Sequence, residues 1–550
     1  MMDEYENSKI RTKRYGKLKT LLFETFGYDD FRCKQYEIIN NIINKEDVCA
    51  VLATGFGKSL CFHLPALYLK QPAIVICPLI SLMEDQKMIL DKLGITSCCY
   101  NSNVKDKTQL KEEILANEYQ FIYTTPESIL NLKELLQELN DTIGISLIAV
   151  DEAHCISSYG FDFRKAYRQI TCLKDFLPNI PVLAVTATAT SSVAKDICKV
   201  MKFDHHRVIK TSFDRKNLFI NVFRKSSSFM DDILPILKKH ANQPTIIYCL
   251  TVDETMNISE ALNTYDIKCR PYNARMKSSE KTKTHAKFLA NKISVVSATI
   301  AFGMGINKPD VRVIIHYGAP KNIEGYYQEI GRAGRDGNDS HCYVFYSNKD
   351  FVIQEMFIAD SEDTTYQKVQ LNMLRALKNY LCTKGCRRHL LLSYFEEDYP
   401  EECGSCDTCC KTNITKMPSI YNQDVTKEAK LLIDLVEYFL QRGNKYGLLM
   451  HVNILRGSNN KQINVYMKKH PNYGAGKKKS VEWWKELGDK LVALGHMEYL
   501  FVRSGSMTFK VVIVTEDGVR WSNSQDLPES MIEILGVKNK KLLIDMNCAI

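Results

Sequence analysis

The sequence predicts an α/β protein: two successive parallel-sheet lobes, then a helical, cysteine-bearing segment and a module of helices with one β-hairpin. Three observations carry this. Short β-branched runs ending in polar motifs alternate with helical patterns as far as Asn348, as buried parallel strands do. Six of the 19 cysteines crowd between Cys382 and Cys410. Beyond Lys411, helical spacing of apolar residues gives way to two alternating runs around Ser504-Gly505-Ser506. With 550 residues, 45% hydrophobic and 25% charged, the chain can bury several cores, and a wholly disordered chain is excluded. No run approaches the ~20 unbroken apolar residues of a membrane span, so no membrane partner is expected.

The first lobe takes its strands from 48–52, 73–77, 120–124, 147–150 and 182–186. The second takes them from 245–249, 268–272, 293–297, 312–316 and 341–345, with a junction near 204–215. The expected domains are 1–207 and 208–350 for the lobes, 351–415 for the helical cysteine segment, 416–525 for the last module and 526–550 for a tail. Residues 411–426 are polar and turn-rich and read as a linker. Leu431, Leu432, Leu435, Val436 and Phe439 lie at helical spacing within 428–440, 480–494 forms another helix, and 498–501 with 509–515 forms the hairpin. That order suits a winged helix.

The formal charge of +9 is concentrated late: from Lys411 onward, 21 basic and 14 acidic residues leave +7. Between Met450 and Val481 there are seven basic residues and no acidic one. Such a face suits a polyanion or is simply solvated. Cysteines scattered in apolar runs, such as Cys77 and Cys249, act as small hydrophobes. Cys386, Cys403, Cys406 and Cys409 instead have the spacing C-x16-C-x2-C-x2-C. Four thiolates so placed suit a closed, structural Zn²⁺ site. Cys382 and Cys410 are spares, and Cys410 competes with Cys409 for the fourth place.

Ala53-Thr54-Gly55-Phe56-Gly57-Lys58-Ser59 follows a strand and opens a helix. Glycines let backbone N–H groups approach phosphate oxygens, Lys58 would reach the β- and γ-phosphates, and the Ser59 hydroxyl would ligate Mg²⁺. Leu52 replaces the usual first glycine of such a loop. Leu147-Ile148-Ala149-Val150-Asp151-Glu152-Ala153-His154 ends an apolar strand in adjacent carboxylates. Asp151 could hold the metal through water while Glu152 polarises the attacking water. Gln328, Arg332 and Arg335, in the second lobe, could neutralise charge on a transferring phosphoryl group, so hydrolysis would require the lobes to close.

The stretches FGYDDFRCKQ, LATGFGKSLCF, PLISLMEDQ, VDEAHCIS, LAVTATAT, FGMGINKPDVR and YYQEIGRAGRDG follow in this order across 18–350. On them the chain resembles the RecQ family of superfamily-two helicases, its Werner-type members most of all. The resemblance implies RecA-like lobes and ATP held by Tyr28, Arg32 and Gln35 at the adenine and by Thr54, Gly55, Phe56, Gly57, Lys58 and Ser59 at the phosphates. It places His154 with Lys58, Asp151 and Glu152 in the catalytic set, and makes Thr186-Ala187-Thr188 the segment that links hydrolysis to unwinding. Residues 78–86, with Ser81, and Thr125-Pro126-Glu127 would touch the backbone of a single strand. Residues 158–167, with Tyr159, Phe161 and Arg164, correspond to an aromatic-rich loop that senses single-stranded DNA, since bases stack on aromatic rings without sequence preference.

Two departures stand out. Tyr159 and Phe161 occupy places where Trp and His are usual, which keeps stacking but removes an imidazole. Tyr272-Asn273-Ala274-Arg275-Met276 replaces Tyr-His-Ala-Gly, where altered DNA contacts or a core strand are equally expected. The cysteine segment resembles the RecQ zinc-binding subdomain. In the last module, Arg456, Ser458 and Lys477 would contact phosphates, Trp483 and Trp484 would be core, and Met507 or Phe509 would tip a strand-separating wedge. What the resemblance implies is an ATP- and Mg²⁺-dependent 3′–5′ DNA helicase with one structural Zn²⁺. It would act on single-stranded and forked duplex DNA in nuclear replication, recombination and repair, without exonuclease or HRDC domains. An RNA-directed remodeller and a non-catalytic DNA-structure binder are the alternatives.

Overall fold

The apolar runs of the first lobe assemble into one parallel sheet. Its strands are β1 (Asp47–Val51), β2 (Ala73–Ile76), β3 (Ser97–Tyr100), β4 (Phe121–Thr124), β5 (Leu147–Val150), β6 (Val182–Thr186) and β7 (His206–Lys210). They lie in the order β3-β4-β2-β5-β6-β1-β7. β2, β4, β5 and β6 bury every residue, which is why each reads as an unbroken apolar run. The computed structural model describes residues 2–157, 165–203, 206–226, 228–302, 308–361, 363–410, 421–504, 507–523 and 531–534. It divides into two units, Met1–Cys410 and Lys411–Ile550.

The second sheet is also parallel. It contains β8 (Leu218–Arg224), β9 (Thr245–Cys249), β10 (Cys269–Tyr272), β11 (Val295–Ala298), β12 (Val313–Tyr317) and β13 (Ser340–Tyr346), in the order β10-β11-β9-β12-β13-β8. Three strands were not legible as apolar runs. β3 is Ser-Cys-Cys-Tyr, β7 begins His-Arg, and β8 alternates buried with half-exposed positions. The junction is therefore shorter than the sequence suggested, because β7 takes up His206–Lys210 and pairs with β1. The polar N-terminus also forms a long helix, Met2–Phe26, whose Leu18 and Leu22 pack against Ile39, Leu60 and Leu64.

After β13 come the helices Asn348–Ala359, Thr364–Cys382 and Arg387–Tyr394. The last leads into Phe395, whose ring stacks on Phe213 at 4.3 Å and lies 5.1 Å from Tyr327. The cysteine segment is thus packed onto the junction between the two sheets.

The second unit has helices Thr426–Leu440, Leu448–Leu455, Val465–Lys468 and Val481–Ala493. A hairpin of Met497–Ser504 and Met507–Val514 and a helix Glu516–Asn523 complete it. The hairpin is longer than expected, with Ser504 opposite Met507. The linker and tail readings need correction: Tyr421–Asp424, inside the expected linker, pairs antiparallel with Met531–Ile534, inside the expected tail. Four-residue strands without an alternating apolar pattern leave little mark in a sequence. Ser480 caps its helix, its hydroxyl accepting from Trp483 N at 3.1 Å. Trp484 is fully buried and donates from Nε1 to Gly476 O at 2.9 Å. Among the described residues, no helix is long and apolar enough to cross a membrane.

Because Trp484 fills the centre of the second unit's core, Trp484→Ala should destabilise that unit by about 3–5 kcal/mol. Chemical denaturation followed by tryptophan-independent circular dichroism would read it; a change under about 1 kcal/mol would contradict the packing.

Candidate active site

The loop after β1 turns through two left-handed glycines, Gly55 at φ 88° and Gly57 at φ 77°. At Gly57 a Cβ would stand 2.8 Å from Gln35 Nε2, so the turn tolerates no side chain there. That Nε2 donates to Phe56 O at 2.8 Å and Gly57 O at 3.2 Å. Gln35 Oε1 accepts from Arg32 N at 2.8 Å, and Arg32 Nη1 donates to Gly55 O at 2.6 Å. Arg32 and Gln35 therefore brace the loop from outside, while Tyr28 is 54% exposed. The helix Leu60–Leu69 starts at Ser59, whose side chain makes no capping hydrogen bond.

β5 delivers Asp151 and Glu152 to the same end of the sheet. Glu152 sits at φ 49°, a strained position for a side-chain-bearing residue of the kind found at functional sites. Its Oε1 lies 3.3 Å from Lys58 Nζ. Burial works against the Glu152 carboxylate, but Lys58, His154 and Arg332 more than offset it and hold its pKa below the ordinary value. Asp151 shifts the other way. Burial, aided by the neighbouring Glu152 charge and opposed by Lys58, raises it to about 6. His154 Nδ1 is 3.0 Å from Thr186 Oγ1 and 3.4 Å from Glu152 Oε2. The Thr186-Ala187-Thr188 segment thus touches the carboxylate site through one imidazole.

The second lobe reaches the same carboxylate. Gln328 Nε2 donates to Glu152 Oε1 at 3.4 Å. Gly331 packs so closely on the first lobe that a Cβ would come within 2.7 Å of Thr54 Cβ. Arg332 is buried, and Arg335 Cγ lies 3.4 Å from the place of a Cβ on Gly55. Burial and the nearby charges of Arg332 and Arg215 pull the Arg335 pKa down to about 9, which leaves it a cation at neutral pH.

Ser81 and Thr125 share a cleft of about 600 Å³ beyond β2 and β4, lined also by Pro78, Leu79, Glu127 and Ser128. Tyr159, Phe161 and Arg164 lie outside the described residues. Asn273 is buried and donates to Thr255 Oγ1 at 2.9 Å, so at this position the core explanation replaces an altered nucleic-acid contact. Arg275 is exposed and paired with Asp253 at 2.8 Å.

Cys386, Cys403, Cys406 and Cys409 bring their sulfurs within 4.8 Å of one another, Cys406 and Cys386 at 4.0 Å. A tetrahedron of Zn–S bonds of about 2.3 Å has edges near 3.8 Å, so the cluster fits the ion. Cys410 does not compete: its Sγ turns to Gly404 O at 3.2 Å. In the second unit, Arg456 and Ser458 lie on a loop packed against the 474–479 segment that carries Lys477. Gly476 N donates to Leu455 O at 2.7 Å, and Arg456 Nε to Lys479 O at 3.0 Å. Phe509, opposite Val502 near the hairpin end, is 49% exposed.

Family models for the DEAD/DEAH box helicase match residues 32–197, the helicase conserved C-terminal domain 227–337, the RecQ zinc-binding domain 348–410 and the RQC domain 419–527. The ATP-dependent DNA helicase RecQ of Bacillus subtilis is 34% identical over 512 residues, covering 91% of this chain and 82% of that one. This chain belongs to the RecQ helicase family. A protein of Acanthamoeba polyphaga mimivirus named putative ATP-dependent RNA helicase R290 is 55% identical over 528 residues, 96% of each chain. The mouse bifunctional 3′-5′ exonuclease/ATP-dependent helicase WRN is 37% identical over 534 residues, 92% of this chain and 37% of that one. The Mycobacterium smegmatis helicase Lhr shares the fold, with TM-score 0.50 at 13% identity over 92% of this chain and 61% of that one.

The RecQ chain is an ATP-dependent helicase, and its residues fit the groups such an enzyme uses. Thr54 Oγ1, in the phosphate loop, is buried without a hydrogen-bond partner, and the hydroxyl of Ser59, which follows Lys58, caps nothing. Lys58 and the loop N–H groups would hold ATP phosphates, with Mg²⁺ held by Ser59 and Asp151. Bound Mg²⁺ supplies charge neutralisation on the phosphate oxygens. Sequence reasoning missed two residues here. Tyr167 donates from Oη to Asp151 O at 3.0 Å, and Arg215 reaches the seam from the junction. Tyr167 closes the stretch 158–167, where the sequence pointed to stacking and not to a bond with the Asp151 backbone, and Arg215 stands alone in a connection, where a lone polar residue carries no periodicity.

Glu152→Gln should keep the shape of the site but lose its base, lowering ATP turnover by about 10²–10⁴-fold with KM for ATP changed little. Steady-state hydrolysis of the purified variant checks it, and full turnover would remove Glu152 from the mechanism.

Proposed function

We propose that this RecQ enzyme is a DNA motor that moves 3′ to 5′ along one strand and opens forked duplexes, using Mg²⁺-ATP. Lys58, Arg332 and Arg335 would spread positive charge around the transferring phosphoryl group, and Glu152 would orient and deprotonate the attacking water, with Gln328 reporting the second lobe's approach. Such chemistry is mostly positioning and charge compensation, which a seam between two lobes supplies only when closed.

The observation that carries the substrate reading is the company the motor keeps. A cluster of four cysteines is packed onto it, and the same chain bears an RQC unit. In that unit the loops bearing Arg456, Ser458 and Lys477 are packed together and would grip phosphates, which positions a duplex without reading its sequence. Phe509, exposed near the hairpin end, would stack on the first base pair as the hairpin enters a fork. Opening a base-pair step costs about 1.4 kcal/mol, well within one stacking contact plus a lobe movement. Nuclear replication and repair fit this reading.

One observation favours a second reading. The mimivirus relative is named as an RNA helicase, and the cleft at Ser81 and Thr125 would accept either backbone. ATP hydrolysis measured without nucleic acid, with single-stranded DNA and with matched RNA at one salt concentration separates the two, because phosphate contacts make affinity steeply salt-dependent. Stimulation of ~10-fold or more by DNA, with RNA below ~2-fold, is expected; equal stimulation by RNA would overturn the DNA assignment.

A further inference from the structure

The junction between the lobes carries one side chain whose contacts belong to both halves of the ATPase seam. Arg215 Nη1 donates to Thr54 O, in the phosphate loop, at 2.7 Å and to Gly331 O at 3.4 Å. Its Nη2 donates to Ala333 O at 2.9 Å and Gly334 O at 2.8 Å. Its Nε faces Asn217 Oδ1 at 3.4 Å. Thr54 immediately precedes Gly55 of the phosphate loop, while Gly331, Ala333 and Gly334 enclose Arg332 and lead into Arg335.

We propose that Arg215 is a positioning residue for ATP hydrolysis: it locks the backbone of the arginine-bearing turn to the backbone of the phosphate loop when the lobes close. Every N–H direction of its guanidinium is already committed to a protein oxygen, so it has no donor left for a phosphate and is not a third catalytic arginine. It also lies close enough to Arg335 to repel it, so the carbonyl oxygens hold it at the seam against that repulsion. Opening the lobes must break the Thr54 bond, while the bonds to Ala333 and Gly334 travel with the second lobe. Arg215 therefore distinguishes the closed seam from the open one.

The residue is itself anchored. Arg388, buried on the helix after Cys386, pairs with Asp214 and donates to Arg215 O at 2.8 Å and Leu218 O at 2.6 Å. Glu397 accepts from Phe213 N at 2.7 Å. The neighbouring Arg387 pairs with Asp407, between Cys406 and Cys409, at 3.0 Å. The cysteine segment thus grips the strip of junction from which Arg215 projects, which fixes where the guanidinium can reach. The inference rests on the ATP-dependent activity of the family and not on which nucleic acid stimulates it.

Arg215→Ala and Arg215→Lys, with Asn217→Ala as comparison, test it in the full chain at saturating stimulating nucleic acid. Asn217 Nδ2 donates to Gly334 O at 2.9 Å and Asn338 O at 2.8 Å, its Oδ1 accepts only the long 3.4 Å bond from Arg215 Nε, and no hydrogen bond of its own reaches the phosphate loop, so its loss leaves both Nη groups of Arg215 on their carbonyls. Both Arg215 variants should lower kcat by roughly 30- to 100-fold with KM for ATP within about 3-fold, because a misplaced reacting group costs turnover before it costs binding. An ammonium cannot fork to both sides of the seam, so lysine should not rescue. Asn217→Ala should stay within about 3-fold of wild type. Unchanged kcat in the Arg215 variants would overturn the proposal. So would an equal fall in Asn217→Ala, which would make Arg215 only a brace of the second-lobe turn. Should Arg215→Ala fail to fold, Arg215→Lys decides by the same criteria.

Discussion

The Glu152 carboxylate is the point on which the catalytic half depends. Its Oε1 faces Lys58 from its own sheet and Gln328 from the other. A buried carboxylate stays ionised only where cations and donors compensate its lost hydration. Here that compensation comes from both lobes, since Lys58 and His154 share the task with Arg332. Neither sheet alone builds this carboxylate's surroundings. A change in the distance between the lobes changes the charge balance at Glu152, which is how a site of this construction couples chemistry to motion.

The same constraint explains the packing around the junction. A seam that must open and close needs fixed surfaces on either side. On the first lobe, Gln35 and Arg32 hold the phosphate loop through its own carbonyls. On the second, the turn from Gly331 to Arg335 approaches Thr54 so closely that only glycine fits at its head. The cysteine segment supports both from behind, with Phe395 stacked on Phe213 and against Tyr327, the residue before Gln328. The segment that carries the four cysteines is thereby packed against the helix that ends just before Gly331.

Much of this was legible in the sequence, and what was not has physical causes. Fully buried strands such as β2, β5 and β6 announce themselves as apolar runs, and the phosphate loop, the Asp151-Glu152 pair and the four cysteines have spacings that the chemistry dictates. β3 and β7 escaped because polar and cysteine residues suffice at the margins of a sheet. The choice between Cys409 and Cys410 depended on which way two adjacent side chains turn. Asn273 read equally as a substituted contact or as core, and its burial and hydrogen bond to Thr255 make it a core donor, a distinction only burial makes. Arg215 was invisible because its partners are backbone carbonyls from two distant segments, and backbone contacts leave no trace in residue identity.

Central to the proposed function is that ATP hydrolysis at a two-lobe seam drives strand separation on DNA with a defined direction. Strand separation on matched duplexes carrying either a 3′ or a 5′ single-stranded tail, with Mg²⁺-ATP and in real time, measures it most directly. ATP-dependent separation of the 3′-tailed duplex, and little of the 5′-tailed one, is the expected result. Brisk ATP hydrolysis with neither duplex opened, or separation that ignores tail direction, would contradict it.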